Sequence, residues 1–287
     1  MSLRFEPMST GGGFLAPTLS SLRYYFHDLW NYYGDRRVQS YPLFSSGPWL
    51  TLAMIATYLS FIKVVGPQFM HDRKPFDLRK TMAIYNMSMV LLSGGIFVEG
   101  CYLLNFGLDT WGCGWFTGNR YPYETRFLRL AWVFFFSKLI EFADTVFFVL
   151  RKKTRQVSTL HVIHHSLVPI SVWLGFKFAP DANNAFFPLM NSLIHTLMYT
   201  YYGLTAIGPQ MRVTKFIVER CKKYLTGLQM GQFVLAIVHC ISALLFSQCT
   251  FPRASLFINL GNACLFLGLF YSFYNKSYTR SSRRKIN

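Results

Sequence analysis

Long apolar stretches alternate with short polar segments along this chain. Seven occur, at about residues 48–65, 81–104, 127–150, 158–177, 186–206, 224–247 and 255–275. A helix needs about 20 mainly apolar residues to cross the hydrocarbon of a bilayer, so each stretch is predicted to be a membrane span. Residues 1–47 form a mixed N-terminal segment, 48–275 a helical membrane domain and 276–287 a basic tail. Within the first segment, Leu22-Arg-Tyr-Tyr-Phe-His-Asp-Leu-Trp30 reads either as an amphipathic interfacial helix or as part of a disordered tail. The expected class is an all-α membrane protein of seven transmembrane helices, with no second, soluble domain.

Basic residues orient the spans. Arg73, Lys74, Arg79 and Lys80 follow the first span, and Arg151, Lys152, Lys153 and Arg155 the third. Arg212, Lys215, Arg220, Lys222 and Lys223 follow the fifth, and the tail carries Lys276, Arg280, Arg283, Arg284 and Lys285. The intervening loops hold little beyond Arg120, Lys177 and Arg253. Cytosolic loops retain Lys and Arg, so the N-terminus is expected in the lumen and the C-terminus in the cytosol. Arg36 and Arg37 oppose that orientation and are outnumbered. The start does not resemble a cleavable signal peptide, and the run beginning near Trp49 serves as an uncleaved anchor.

Composition agrees: 52% hydrophobic, 18% aromatic and only 14% charged residues. The net charge of +17 lies in clusters between spans, which points to lipid headgroups or phosphorylated substrates and not to nucleic acid. The six cysteines show neither CxxC pairs nor zinc spacing. Cys113 and Cys249 fall in loops on the lumenal side, where a disulfide is permitted; spacing leaves two unrelated thiols equally open. Arg284-Lys285-Ile-Asn287 resembles the dibasic retrieval signal of endoplasmic-reticulum membrane proteins.

Several spans contain polar residues that lipid disfavours. His161-Val-Ile-His164-His165 puts three imidazoles on one helix face, and Pro169 removes the hydrogen bond to the His165 carbonyl one turn later. Lys138, Glu141, Asp144 and Thr145 form a stripe in span three, where each charge costs about 2.5–3.5 kcal/mol at the helix centre. Either these charges belong to a site or Lys138 and Glu141 are a structural ion pair. Asn191, His195, Tyr199 and Tyr202 share one face of span five. In span six, Gln229 and Gln232 either orient a carbonyl or knit helices together, and His239 lies on roughly the same face. His27 and His71 fall outside this set. Together the stripes predict a buried polar pocket entered from the cytosol.

Three classes compete. A metal-dependent membrane desaturase or hydroxylase also uses HxxHH, but a di-iron site needs about eight ligands. Only seven histidines exist, and two lie outside the core. A seven-span receptor or transporter has no use for so charged a core, and no repeat relates two halves. Acyl transfer fits: an imidazole attacks a thioester or acts as base near neutral pH, and basic loops hold the phosphates of a coenzyme A carrier.

The chain resembles the ELOVL family of fatty-acid elongases, the 3-ketoacyl-CoA synthases of the endoplasmic reticulum. The resemblance is carried by Lys138-Leu-Ile-Glu141-Phe-Ala-Asp144-Thr145, by His161-Val-Ile-His164-His165, by the stretch from Asn191 to Tyr202 and by Thr226-Gly-Leu-Gln229-Met-Gly-Gln232-Phe233. Lys74-Pro-Phe-Asp-Leu78 and Cys249 before Pro252 add to it, so it runs from about residue 70 to the tail. It implies condensation of a long-chain acyl-CoA with malonyl-CoA, helices two to seven arranged as two three-helix units around a closed acyl tunnel, and no bound cofactor or metal. It implies His164 as the nucleophile forming an acyl-imidazole and His195 facing it. His161 and His165 would orient the pair. Lys138, Glu141, Asp144, Asn191, Tyr202, Gln229 and Gln232 would line the supporting pocket. Arg151, Lys222 and Lys223 would contact coenzyme A, and Cys113 would bridge to Cys249. Implied partners are membrane lipid, the ketoacyl-CoA reductase, the dehydratase and the enoyl reductase of the same membrane, with a homodimer left open. The loop from Gly208 to Lys223 looks longer than in relatives. Phe-Val-Leu-Arg151-Lys-Lys and Lys177-Phe-Ala-Pro resemble the subgroup acting on very-long-chain substrates.

Overall fold

The computed structural model describes residues 21–112, 122–207, 212–246 and 252–279. Cys113, Cys249, Arg120, Arg284 and Lys285 lie outside them. A short helix α1 (Leu29–Tyr33) precedes the long helices. These are α2 (Trp49–Met70), α3 (Arg79–Leu103), α4 (Glu124–Ile140), α5 (Phe142–Leu150), α6 (Thr159–Phe178), α7 (Phe186–Ile207), α8 (Arg212–Phe246) and α9 (Arg253–Tyr274).

Among the described residues four helical stretches are long and apolar enough to cross a membrane: Trp49–Met70, Arg79–Leu103, Cys221–Phe246 and Arg253–Tyr278. The protein is an integral membrane protein. The other long elements read as less apolar for physical reasons. A tightened turn at Glu141 divides α4 from α5, and α6 and α7 carry the histidines, Asn191 and the tyrosines. The packing is inverted relative to a water-soluble bundle. On α3, Ile84, Leu91 and Val98 recur every seven residues and are exposed, while Asn86, Ser93 and Gly100 are buried on the other side. Polar groups inside and aliphatic groups outside are what a hydrocarbon surround selects.

Helix contacts close on themselves. α3 packs on α4, α4 on α6, α6 on α9, α9 on α8, α8 on α7, and α7 back on α3, while α2 leans on α5 and α6. The α3–α7 seam is intimate because Gly100 has no side chain: a Cβ there would lie 2.8 Å from Leu189 Cδ1. α6 begins where Ser158 caps it, its hydroxyl accepting from the His161 N–H at 3.2 Å, which sets the histidines in the first two turns. The helix runs on through Pro169. α8 begins at Arg212, so much of the basic stretch predicted as a loop after the fifth span is helix. Apolar length alone marks the membrane portion of such an element and not its end.

The N-terminal segment lies across the ends of α4 and α6 remote from Arg151. Phe44 stacks on Trp173 at 5.6 Å, and both are fully buried. Trp173 Nε1 donates to the Leu43 carbonyl and Trp132 Nε1 to the Pro42 carbonyl. Arg37 bridges Asp35 and Glu124 at 2.6 and 2.5 Å. Burial pushes the Asp35 carboxyl up, but hydrogen bonds and charge from Arg37 outweigh it and hold the group below its ordinary value. Lys177, which the sequence places at a span end, is wholly buried: Nζ donates to Asn31 Oδ1 at 2.8 Å and to the Phe44 carbonyl at 2.6 Å. The Asp35 N–H returns a bond to the Lys177 carbonyl at 2.8 Å. Gly34 is required beside it, since a Cβ would come within 2.5 Å of Lys177 Cε. Outside this seat Tyr25, Tyr32 and Tyr33 are exposed, as suits a segment lying at a membrane interface.

Candidate active site

The polar stripes of α5, α6, α7 and α8 converge on one cavity of about 1110 Å³, which opens among Arg79, Arg151, Arg155 and Lys222. His161, His164, His165 and His195 all line it, as do Asp144, Tyr202, Gln229 and Gln232. The ring centres of His161 and His165 are 4.3 Å apart and those of His164 and His165 5.1 Å, the result of their i, i+4 and i, i+1 spacing on a capped helix. His161 is fixed from outside the cavity: its Nε2 is 2.7 Å from Thr145 Oγ1, which in turn is 3.0 Å from the Tyr58 hydroxyl.

Behind His195 lies a buried charge cluster. Lys138 Nζ donates to Glu141 Oε1 at 2.7 Å and to Asn191 Oδ1 at 2.8 Å. The same Glu141 oxygen lies 3.0 Å from His195 Nδ1, at an angle that misses a hydrogen bond and leaves that nitrogen buried and unpaired. Lys138, Glu141 and Asn191 are each at most 3% exposed. So the ion pair exists, and it also reaches α7, where Lys138 donates to Asn191 and Glu141 lies beside His195. Asp144 accepts from the Tyr199 hydroxyl at 2.6 Å. Gln229 Nε2 lies 3.5 Å from Met198 Sδ, and Gln232 Oε1 is buried with no partner.

Other predicted residues are placed differently. Lys223 is exposed, its Nζ 5.9 Å from the Tyr274 ring centre, while Arg151 and Lys222 border the opening. Arg79 and Arg155, not singled out from the sequence, border it too. His239 faces a different cavity, its Nε2 donating to the Thr110 carbonyl at 2.9 Å and its ring stacked on Phe186 at 4.3 Å. His27 and His71 pair with neighbouring Asp28 and Asp72 at exposed positions. Among the described residues no three His, Cys, Asp or Glu side chains are grouped so as to hold a metal ion.

Beyond the histidines, toward the N-terminal segment, a second cavity of about 120 Å³ is lined mostly by apolar residues including Phe127, Leu130, Phe134, Val172 and Phe176. A roomy chamber that holds the four histidines, is bordered by cations and is backed by a small apolar cavity suits an amphiphile with a charged head and a long aliphatic tail.

The model of the GNS1/SUR4 family, ELO, matches residues 43–286. The chain belongs to this family. A very long chain fatty acid elongase of Aedes aegypti is 43% identical over 270 residues, 90% of this chain and 71% of that protein. Very long chain fatty acid elongase 7 of Drosophila melanogaster is 40% identical, covering 89% of this chain and 76% of its own length. Very long chain fatty acid elongase 1 of Mus musculus is 40% identical, covering 90% and 91%. The matched range includes all four histidines of the chamber, the Lys138–Glu141 pair and α8.

Proposed function

We propose that this ELO protein is the condensing enzyme of fatty-acid elongation, a 3-ketoacyl-CoA synthase acting on long or very long acyl chains. The observation that carries the reading is the convergence of His161, His164, His165 and His195 on a cation-rimmed chamber with an apolar cavity beyond it. A His164 ring nitrogen attacks the thioester carbonyl of acyl-CoA, forming an acyl-imidazole as the C–S bond breaks, and the coenzyme A thiolate takes up a proton. Malonyl-CoA then loses CO2, and its carbanion attacks the acyl-imidazole carbonyl. The imidazole leaves, taking up a proton from solvent to restore neutral His164, and a 3-ketoacyl-CoA two carbons longer remains. His195, biased by Glu141 beside it, serves the decarboxylation step. Arg151 and Lys222, with Arg79 and Arg155, bind the coenzyme A phosphates at the opening; exposed Lys223 is assigned to the same task at longer range.

α4–α5, α6 and α7 cross the bilayer in this reading together with the four more apolar helices, giving seven spans. Helices α3 to α9 then enclose the acyl tunnel as two three-helix units. The basic opening faces the cytosol and the N-terminal segment the lumen of the endoplasmic reticulum, where Cys113 and Cys249 are bridged. The ketoacyl-CoA reductase, dehydratase and enoyl reductase of that membrane consume the product in turn. Family membership supports elongation over the desaturase alternative. Microsomes containing the protein are expected to lengthen an added acyl-CoA by two carbons from labelled malonyl-CoA; lack of incorporation into any acyl-CoA refutes the assignment.

A further inference from the structure

The chamber and the apolar cavity do not run together. Among the described residues, Phe233 alone lines both. Its ring is 1% exposed and packs in one cluster with Val168 and Phe266. On the chamber side it meets Phe270 at 5.4 Å; on the other side it meets Phe266 at 5.8 Å and Phe187 at 6.0 Å. This aromatic layer stands at the level of the histidines, since the His164 ring centre is 5.2 Å from that of Phe266.

Resting on the condensing reading of the chamber, we propose that Phe233 is an aromatic gate, closed in this structure, which an acyl chain must displace to pass from the histidine chamber into the apolar cavity. Both spaces border the ring, so the side chain stands at the one described boundary between them. Displacing it sacrifices its packing against three phenylalanines. An acyl chain that ends before the layer recovers nothing, whereas each methylene beyond it leaves water for an apolar wall. Phe233 therefore selects against short chains, and its neighbour Gln232 keeps a polar atom on the chamber side of the same turn. The wall residues beyond the gate bound the longest chain; the gate sets the shortest chain that binds well.

The test uses the full-length protein in lipid nanodiscs, with saturated acyl-CoA thioesters graded from short to very long. Phe233→Leu, which opens the layer while keeping it apolar, is expected to narrow the ratio of kcat/KM between long and short chains by about tenfold, and Phe233→Trp to lower kcat/KM for long chains selectively. A merely structural role moves every length by one common factor, and that result overturns the gate, as does no change. Binding of nonreactive thioether analogues of the same lengths provides a readout independent of turnover. Wild type should show a break in affinity against length, and Phe233→Leu should lose it. A break without any condensation keeps the gate and refutes the reaction; condensation without a break keeps the reaction and refutes the gate.

Discussion

The pair Lys138–Glu141 offers the sharpest test of how the site is held together. Both side chains are buried, bonded at 2.7 Å, and Lys138 also donates to Asn191 at 2.8 Å. Replacing one member of a buried ion pair strands the other, at a cost of about 3–5 kcal/mol. Lys138→Met also leaves Asn191 Oδ1 without its donor, which costs about 1–3 kcal/mol more. In Lys138→Met/Glu141→Gln no uncompensated charge remains, so the double variant is expected to be more stable than the sum of the single losses by about 1–3 kcal/mol. Unfolding titrations with a denaturing detergent in mixed micelles, run in parallel on the four proteins, give the coupling energy. If the double variant's loss equals the sum of the singles within about 0.5 kcal/mol, the two charges are not coupled and the reasoning fails. Turnover need not follow stability: the double variant lacks the carboxylate beside His195 and is expected to stay inactive.

Incubation with acyl-CoA alone, without malonyl-CoA, should place an acyl adduct on the peptide containing His164, and Ala at that position should remove it; an adduct confined to a cysteine contradicts the mechanism. Arg151→Ala and Lys222→Ala should raise KM for acyl-CoA more than they lower kcat, with the effect of each shrinking at high salt as charges are screened. Lys177→Met strands two acceptors, Asn31 Oδ1 and the Phe44 carbonyl, at about 1–3 kcal/mol apiece, and limited proteolysis should then cut the N-terminal segment faster. Because the folded-state pKa of Asp35 is depressed, its contribution to seating that segment is present above 3.8 and lost as pH falls through the folded value; proteolysis across that range should show release on the acid side, and Asp35→Asn should flatten the profile.

The helices and the histidine face were legible because lipid imposes one rule throughout: polar groups in a span must point inward or cost free energy. The rule singles out Lys138, Glu141, Asn191 and His195 individually, and helical spacing groups them by span. It does not say which span meets which. That Glu141 also lies beside His195, or that Tyr58 of α2 reaches Thr145, depends on packing between distant segments and leaves no local trace. Tyr199 had a signal, its place on the Asn191–His195 stripe, whereas Arg79 and Arg155 looked like ordinary loop charges. Lys177 was misjudged for the opposite reason. Its partners are a carbonyl and an asparagine of the N-terminal segment, and backbone acceptors carry no sequence signature. Phe233 likewise read as one apolar residue among many.

The seat of Lys177 also constrains the order of assembly. Asn31 and Lys177 are 146 residues apart, yet each completes the other. During synthesis the first segment emerges long before α6 exists, so although Trp49 of α2 and Glu124 and Phe135 of α4 come earlier, its contacts with Trp173 and Lys177 must wait for α6. Such a distant closure is slow to form. The seat of the N-terminal segment is thus completed late, and a chain halted before residue 177 lacks the amine that closes it.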